Sequence, residues 1–377
     1  MMVPNPALSQ EKAEDVNQQL HNSAADADNI EIVNMMKDQD ASASENNRKK
    51  EHRRRYNHKS RLHSSRLSPI FLSTSLRDVQ DEAAAVLEAR VKELIEHLNN
   101  STTSLETLRN STCELRLLAK DMDNRILIAS CGAITPLVSL LRSSDLVTQE
   151  NAVTALLNLS ISNNNKTNIV KADSIEPLIH VLKTGTSEAR ENAAATLYSL
   201  SVFEENKIRI GNSGAIGPLV DLLGNGTPRG KKDAATALFN LSTCTENRFT
   251  IVKSGAVKPL IELMDPATGM VDRAVVLLAN LATTPEGRKD IAESGGINLL
   301  VEAIELGSPR GKENAAAALV HFCSDSTKYC RKVLEEGAVP PLVILSTSGT
   351  SRAKEKAIKI LHYLRNLQQQ AFNARRG

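Results

Sequence analysis

The chain has 377 residues, of which 41% are hydrophobic but only 3% aromatic, and it contains no tryptophan. A core large enough for this length therefore has to be aliphatic. Forty-six Lys and Arg against 44 Asp and Glu leave a formal charge of +2, which excludes a chain-wide field for nucleic acid or for acidic substrates. Residues 1–75 are rich in Asn, Ser, Asp and Gln and show no sustained apolar period, so a disordered tail is expected there. Its charge is blocked: residues 1–47 carry nine acids and two bases, and residues 48–66 carry nine bases and one acid. Arg48, Lys49, Lys50, Arg53, Arg54 and Arg55 in that basic run fit a nuclear-localisation signal or phosphate neutralisation, with a solvated linker as the plain alternative. Ser68 before Pro69 resembles a phosphorylation site.

From about residue 88 the sequence repeats itself. The segments CGAITPLVSLL, ADSIEPLIHVL, SGAIGPLVDLL, SGAVKPLIELM, SGGINLLVEAI and EGAVPPLVILS place Gly132, Asp173, Gly214, Gly255, Gly295 and Gly337 at separations of 41, 41, 41, 40 and 42 residues. At constant offset follow ENAVTALLNLS, ENAAATLYSLS, KDAATALFNLS, DRAVVLLANLA, ENAAAALVHFC and EKAIKILHYLR, each with the apolar stripe of a helix. Each unit is thus predicted as a short first helix, a sharp turn, a second helix, a loop and a longer third helix. The turn glycines supply positive φ, and Asp173 is a tolerable substitute. Pro136, Pro177, Pro218, Pro259 and Pro341 fall in the first turn of the second helix, where a missing N–H costs little. Ala152, Ala193, Ala234, Ala274, Ala315 and Ala357 recur where neighbouring helices come too close for a larger side chain.

This wording, in particular ENAVTALLNLS, GNGTPRGKKDAATALFNLS, PEGRKDIAESGGI and GKENAAAAL, resembles the armadillo repeat and, within it, the C-terminal armadillo region of plant U-box ubiquitin ligases, over about residues 88–370. The resemblance implies an all-α, right-handed α-solenoid of about seven armadillo repeats. The expected divisions are the tail (1–75), an N-terminal cap and partial first repeat (76–129), central repeats (130–334), and a C-terminal repeat with cap and short tail (335–377). Residues 1–87 show no Cys-Pro-Ile opening, Pro-Val core or closing Trp of a U-box, so that domain is not expected there.

Catalysis is not expected. Gly226–Lys232 and Gly307–Glu313 look like phosphate-binding loops but are a spacer short and lack the magnesium-binding Ser or Thr, and they recur at twice the repeat period, as inter-helix loops do. His321 and Cys323 lie two apart on one helix, on different faces. The five cysteines, Cys113, Cys131, Cys244, Cys323 and Cys330, form no C-x-x-C pair and have no matching histidine spacing, so neither a disulfide frame nor a metal site is expected, and no cofactor. With no signal peptide and no apolar run long enough to span a membrane, the expected location is the cytoplasm or nucleus.

The resemblance implies a concave groove lined by third helices that holds an extended segment of a protein partner, through an asparagine near the end of each third helix. The equivalent positions are Asn158, Ser199, Asn240, Asn280, His321 and Tyr363, and a bond bracing adjacent repeats is the alternative use of those amides. Seven or eight residues earlier stand Glu150 and Asn151, Glu191 and Asn192, Lys232 and Asp233, Asp272 and Arg273, Glu313 and Asn314, which make the groove polar and mixed in charge. Importin-alpha carries tryptophan four residues before the asparagine; Thr154, Ala195, Thr236, Val276 and Ala317 stand there, so an import receptor is not expected. A second ladder, Asn124-Arg125, Asn165-Lys166, Asn206-Lys207, Asn247-Arg248 and Gly287-Arg288, opens each first helix; its asparagines are expected to cap that helix, and its cations offer an edge to an acidic partner as the alternative. The function expected is a non-catalytic scaffold for a protein segment in plant signalling or ubiquitin-linked regulation, or else the substrate-recognition part of a ubiquitin ligase. Small-molecule substrates, a membrane span and nucleic acid are not expected.

Overall fold

The structure of the protein is a computed structural model that describes residues 69–374. The basic run at 48–66, with Ser68 and most of the tail, lies outside the described residues. The chain divides between residues 82 and 83 into two units, and the second carries all of the repeats. Helix Pro69–Asn99 opens inside the stretch expected to be tail, with proline in the first helical position that tolerates it. Among the described residues there are twenty α-helices, one 3₁₀ helix and no strand.

Helix Leu105–Leu118 is the third helix of a partial first unit. Six triplets follow: Asn124–Ser130, Ile134–Leu140 and Leu146–Ser160; Asn163–Lys171, Ile175–Thr184 and Ser187–Leu200; Glu204–Asn212, Ile216–Asn225 and Pro228–Ser242; Thr245–Lys253, Val257–Glu262 and Val271–Leu281; Pro285–Glu293, Gly296–Leu306 and Pro309–Asp325; and Thr327–Glu335, Val339–Ser348 and Ser351–Ala374. Consecutive third helices pack side by side from Leu105–Leu118 to Ser351–Ala374, making one continuous layer. The second unit is the right-handed α-solenoid of armadillo repeats that the resemblance implied.

The turn between first and second helices is left-handed in every triplet: φ is 90° at Gly132, 82° at Gly214, 83° at Gly255, 78° at Gly295 and 77° at Gly337, and Asp173, at 54°, is the one non-glycine residue among the described residues in that region. The recurrent alanines are sealed, at 0–1% exposure for Ala152, Ala193, Ala234, Ala274, Ala315 and Ala357. Leu, Ile and Val dominate the core, and Phe322 is the aromatic among its largest fully buried side chains, edge-on to Tyr329 at 5.5 Å between centroids.

The fourth triplet departs from the pattern. Pro266 forces Asp265 into an extended conformation, the second helix stops at Glu262, and the 3₁₀ turn Pro266–Thr268 with left-handed Gly269 replaces its last turns. This local rerouting is why one repeat spacing is 40 residues. Because the alanine sites are fully buried between helices, Ala234→Leu should cost about 1–3 kcal/mol of stability through overpacking, read as a lower melting temperature; an unchanged melt would show that the third helices have room to spare.

Candidate functional site

The candidate site is the wall of third helices, and its ladder residues turn out to have partners inside the chain. Asn158 Nδ2 donates to the Arg116 carbonyl (3.3 Å), Ser199 Oγ to the Ser160 carbonyl (2.9 Å), Asn240 Nδ2 to the carbonyl (2.9 Å) and hydroxyl (2.8 Å) of Ser201, and Asn280 Nδ2 to Ser242 Oγ (2.8 Å). Every one of these bonds reaches the end of the preceding third helix. The amide protons thus brace neighbouring repeats, the alternative use raised by the sequence. His321 is half-buried, and burial, followed by Arg288, holds its imidazole below the ordinary value. Tyr363 is half-buried with its ring beside His362.

A second brace joins the start of each third helix to its predecessor. Thr186, Thr227, Ser308 and Thr350 are N-caps, each accepting an N–H of its own first turn, from Ala189, Gly230, Gly311 and Ala353. The same hydroxyls donate to Glu150, Glu191, Asp272 (2.9 Å) and Glu313 (2.6 Å) one repeat earlier. At the first junction the roles are exchanged: Arg109 holds the cap carboxylate of Asp145, Nε to Oδ2 at 3.0 Å, and keeps it well below the usual carboxylate range. This brace explains the phosphate-loop look-alikes. Their glycines, Gly230 and Gly311, sit where a Cβ would meet Glu191 at 3.2 Å and Asp272 at 2.5 Å, and no phosphate is needed to account for them. Glu191, only 5% exposed, also lies 3.6 Å from Arg229, whose Nη2 donates to Asn192 Oδ1 (2.6 Å) while Asn192 Nδ2 donates to Thr154 (2.8 Å).

The first-helix ladder serves the third helices too, which corrects the expected capping role. Asn124, Asn165, Asn206 and Asn247 lie within their helices and reach back to the carbonyls of Leu118, Leu159, Leu200 and Leu241, so they cap the C-terminus of the helix before. Asn165 and Asn247 also donate to the Arg125 and Lys207 carbonyls of the previous first helix. Arg125, Arg248 and Arg288 donate to carbonyls just past those same helix ends, where a cation complements the helix dipole. Arg125, Lys166, Lys207 and Arg288 are buried, so they present no edge to an acidic partner.

The family model described as "Plant U-box protein ARM repeat region" matches residues 90–373. The chain belongs to that family. It is 63% identical over 268 residues to U-box domain-containing protein 4 of Arabidopsis thaliana, covering 71% of this chain and 32% of that protein. It is 52% identical over 100 residues to U-box domain-containing protein 12 of Oryza sativa subsp. japonica, covering 26% of this chain and 16% of the relative. The chain therefore spans about a third or less of the curated relatives it matches. Among solved structures it is similar to an engineered protein, with TM-score 0.62 and 28% identity over 73% of this chain and 68% of that one. It shares the fold of a designed armadillo repeat protein in complex with the peptide (KR)4, with TM-score 0.54 and 24% identity over 61% of this chain and 99% of that one.

Along this plant U-box armadillo wall, accessibility is uneven. Residues 191–200 are all buried, and Arg229 lies over Asn192, so the second triplet offers a ligand little. From the third triplet onward Lys232, Asp233, Thr236, Arg273, Val276, Asn280, Asn314 and Ala317 are half-buried. Asn240 is buried within this series, and in the first triplet Glu150, Thr154 and Asn158 are half-buried while Asn151 is buried. The bracing by Asn240, and the acid of Asp233, were not separable from ligand contacts by spacing alone.

Burial pushes the Asp233 carboxyl up to about 6, with Arg229 opposing and Glu191 adding to the rise. Because the folded value exceeds the ordinary one, the folded state holds that proton more tightly, and stability falls as pH rises from the ordinary carboxylate range through about 6. Asp233→Asn should therefore match the parent near pH 4 and exceed it by about 1–3 kcal/mol at pH 7.5, measured by denaturant unfolding at both pH values; a constant difference would contradict the assignment. Asn240→Ala, which removes the donor to the Ser201 carbonyl and hydroxyl, should cost about 1–3 kcal/mol in the same measurement, and no loss would mean that the brace is idle.

Proposed function

We propose that this chain is a non-catalytic scaffold that holds an extended segment of a partner protein against its third helices, across the third to fifth triplets. The observation that carries the reading is the half-buried, largely polar stretch of wall from Lys232 to Ala317, on a solenoid whose asparagine amides already bond to the neighbouring repeat. A wall that is braced before a ligand arrives is preorganised, which lowers the ordering cost of binding. Because the asparagine amides serve the rod, affinity rests on the side chains around them.

The match to U-box relatives over their armadillo region favours a second, compatible reading, in which the bound segment belongs to a ubiquitination substrate. The matched region itself supplies recognition and not transfer. Full-length chain incubated with ubiquitin, activating and conjugating enzymes should form no ubiquitin adducts, and self-modification would overturn the non-catalytic reading.

Peptides of about twelve residues reach about 40 Å when extended and so span about four repeats of about 10 Å each. A random phage library of that length, panned on the immobilised full chain, should yield binders. Thr236→Arg and Ala317→Arg, which fill the wall without touching a brace to the next repeat, should weaken those binders about tenfold or more while the far-ultraviolet spectrum is unchanged. Binders indifferent to both substitutions would remove the wall from the function.

A further inference from the structure

The brace between N-cap and acid fails at one junction, and it fails from both sides. Position by position, Arg109, Glu150, Glu191, Asp272 and Glu313 each hold the cap of the next third helix, at Asp145, Thr186, Thr227, Ser308 and Thr350. At the third triplet the corresponding residue is Lys232, and the next cap is Met270, which makes no side-chain cap bond. The Lys232 side chain has no hydrogen-bond or ion-pair partner among the described residues, and neither has that of Arg273, one repeat on and seven residues before Asn280 on its helix face. Both are half-buried on the accessible part of the wall, and both act on the Asp233 carboxylate without closing on it; that group's contact is Arg229, at 3.6 Å.

Two half-buried cations that close no ion pair within the described residues keep their donors available to an incoming anion. Elsewhere on the wall the ladder charges are spent internally: Glu150 and Glu191 on threonine caps, Glu313 on Thr350 and Lys356. We infer that Lys232 and Arg273 form the charge-reading point of the wall and select a partner segment that carries an Asp or Glu side chain at the position facing the third and fourth triplets. The inference rests on the reading of the wall as a peptide groove. Its occupant is an acidic peptide, and the arginine is the side chain suited to hold a carboxylate with two parallel bonds.

The test pans the same twelve-residue library, a length that spans about four repeats, on three full-length proteins: the parent, Lys232→Gln/Arg273→Gln and Lys232→Glu/Arg273→Glu, each checked for an unchanged melting profile. Parent-selected peptides should share an Asp or Glu at one position, bind the Gln variant about tenfold more weakly, and bind the Glu variant more weakly still. Replacing that acid by Lys should restore binding to the Glu variant. The Gln variant adds no charge beside Asp233 and so keeps the comparison readable if the Glu variant unfolds. Peptides without a shared acid, or binding unaffected by either variant, overturn this inference while the groove reading stands, provided Thr236→Arg and Ala317→Arg still block them. Failure of the parent to select any peptide overturns the groove reading and this inference with it.

Discussion

No repeat in this solenoid closes its own hydrogen bonds. A third helix of about fifteen residues leaves four N–H and four C=O groups unsatisfied at its ends, and a solenoid has no surrounding globule to take them up. Here the N-terminal end is held through a hydroxyl that also bonds an acid of the preceding repeat, as in Thr227 with Glu191, and the C-terminal end through the next repeat's first helix, as in Asn247 with Leu241. Most junctions therefore carry directional bonds in addition to aliphatic packing, the N-cap brace lapsing between the third and fourth triplets. Packing alone is tolerant of sliding; bonds of this kind fix how one triplet sits on the next.

That requirement competes with recognition for the same side chains. Under the proposed function Asn158, Asn240 and Asn280 stand where a ligand backbone is met, and their amide protons go to the neighbouring repeat. The second triplet is the extreme case, with Glu191 and Asn192 both engaged and the wall sealed. The proposed docking stretch is the one where the internal demands lapse, around Lys232 and Arg273. The character of the wall is set by subtraction, by which polar groups the rod does not need.

Much of this was legible beforehand because it follows from local geometry. The positive-φ turn, including Asp173, and the sealed alanines are dictated by backbone and volume constraints that show in one repeat at a time. The roles of the polar ladders were not, since same-face spacing says which residues are neighbours and not which atom lies within 3 Å. Spacing favours the first-helix asparagines as caps of their own helix because that is the commoner use; Asn165, Asn206 and Asn247 lie three residues past the cap position and reach backward. A usable signal was present: Ser160, Ser201 and Ser242 recur at 41-residue intervals with the asparagine ladder, and each acid has a hydroxyl residue 36 or 37 positions later. Such paired recurrence, rather than single-column recurrence, marks a contact between repeats.

The rerouted fourth triplet has a genetic consequence. Units whose two flanks carry matching halves of the braces are interchangeable modules, so duplicating or excising one of them leaves a junction that still fits. The fourth triplet, with its proline-driven 3₁₀ turn and Met270 where others have a hydroxyl or carboxylate, meets a lysine on one side and presents an ordinary acid on the other. Copied elsewhere in the array it would face an acid with nothing to offer it. Unequal exchange that moves the fourth triplet itself is thereby penalised, while exchange among the matching units is not.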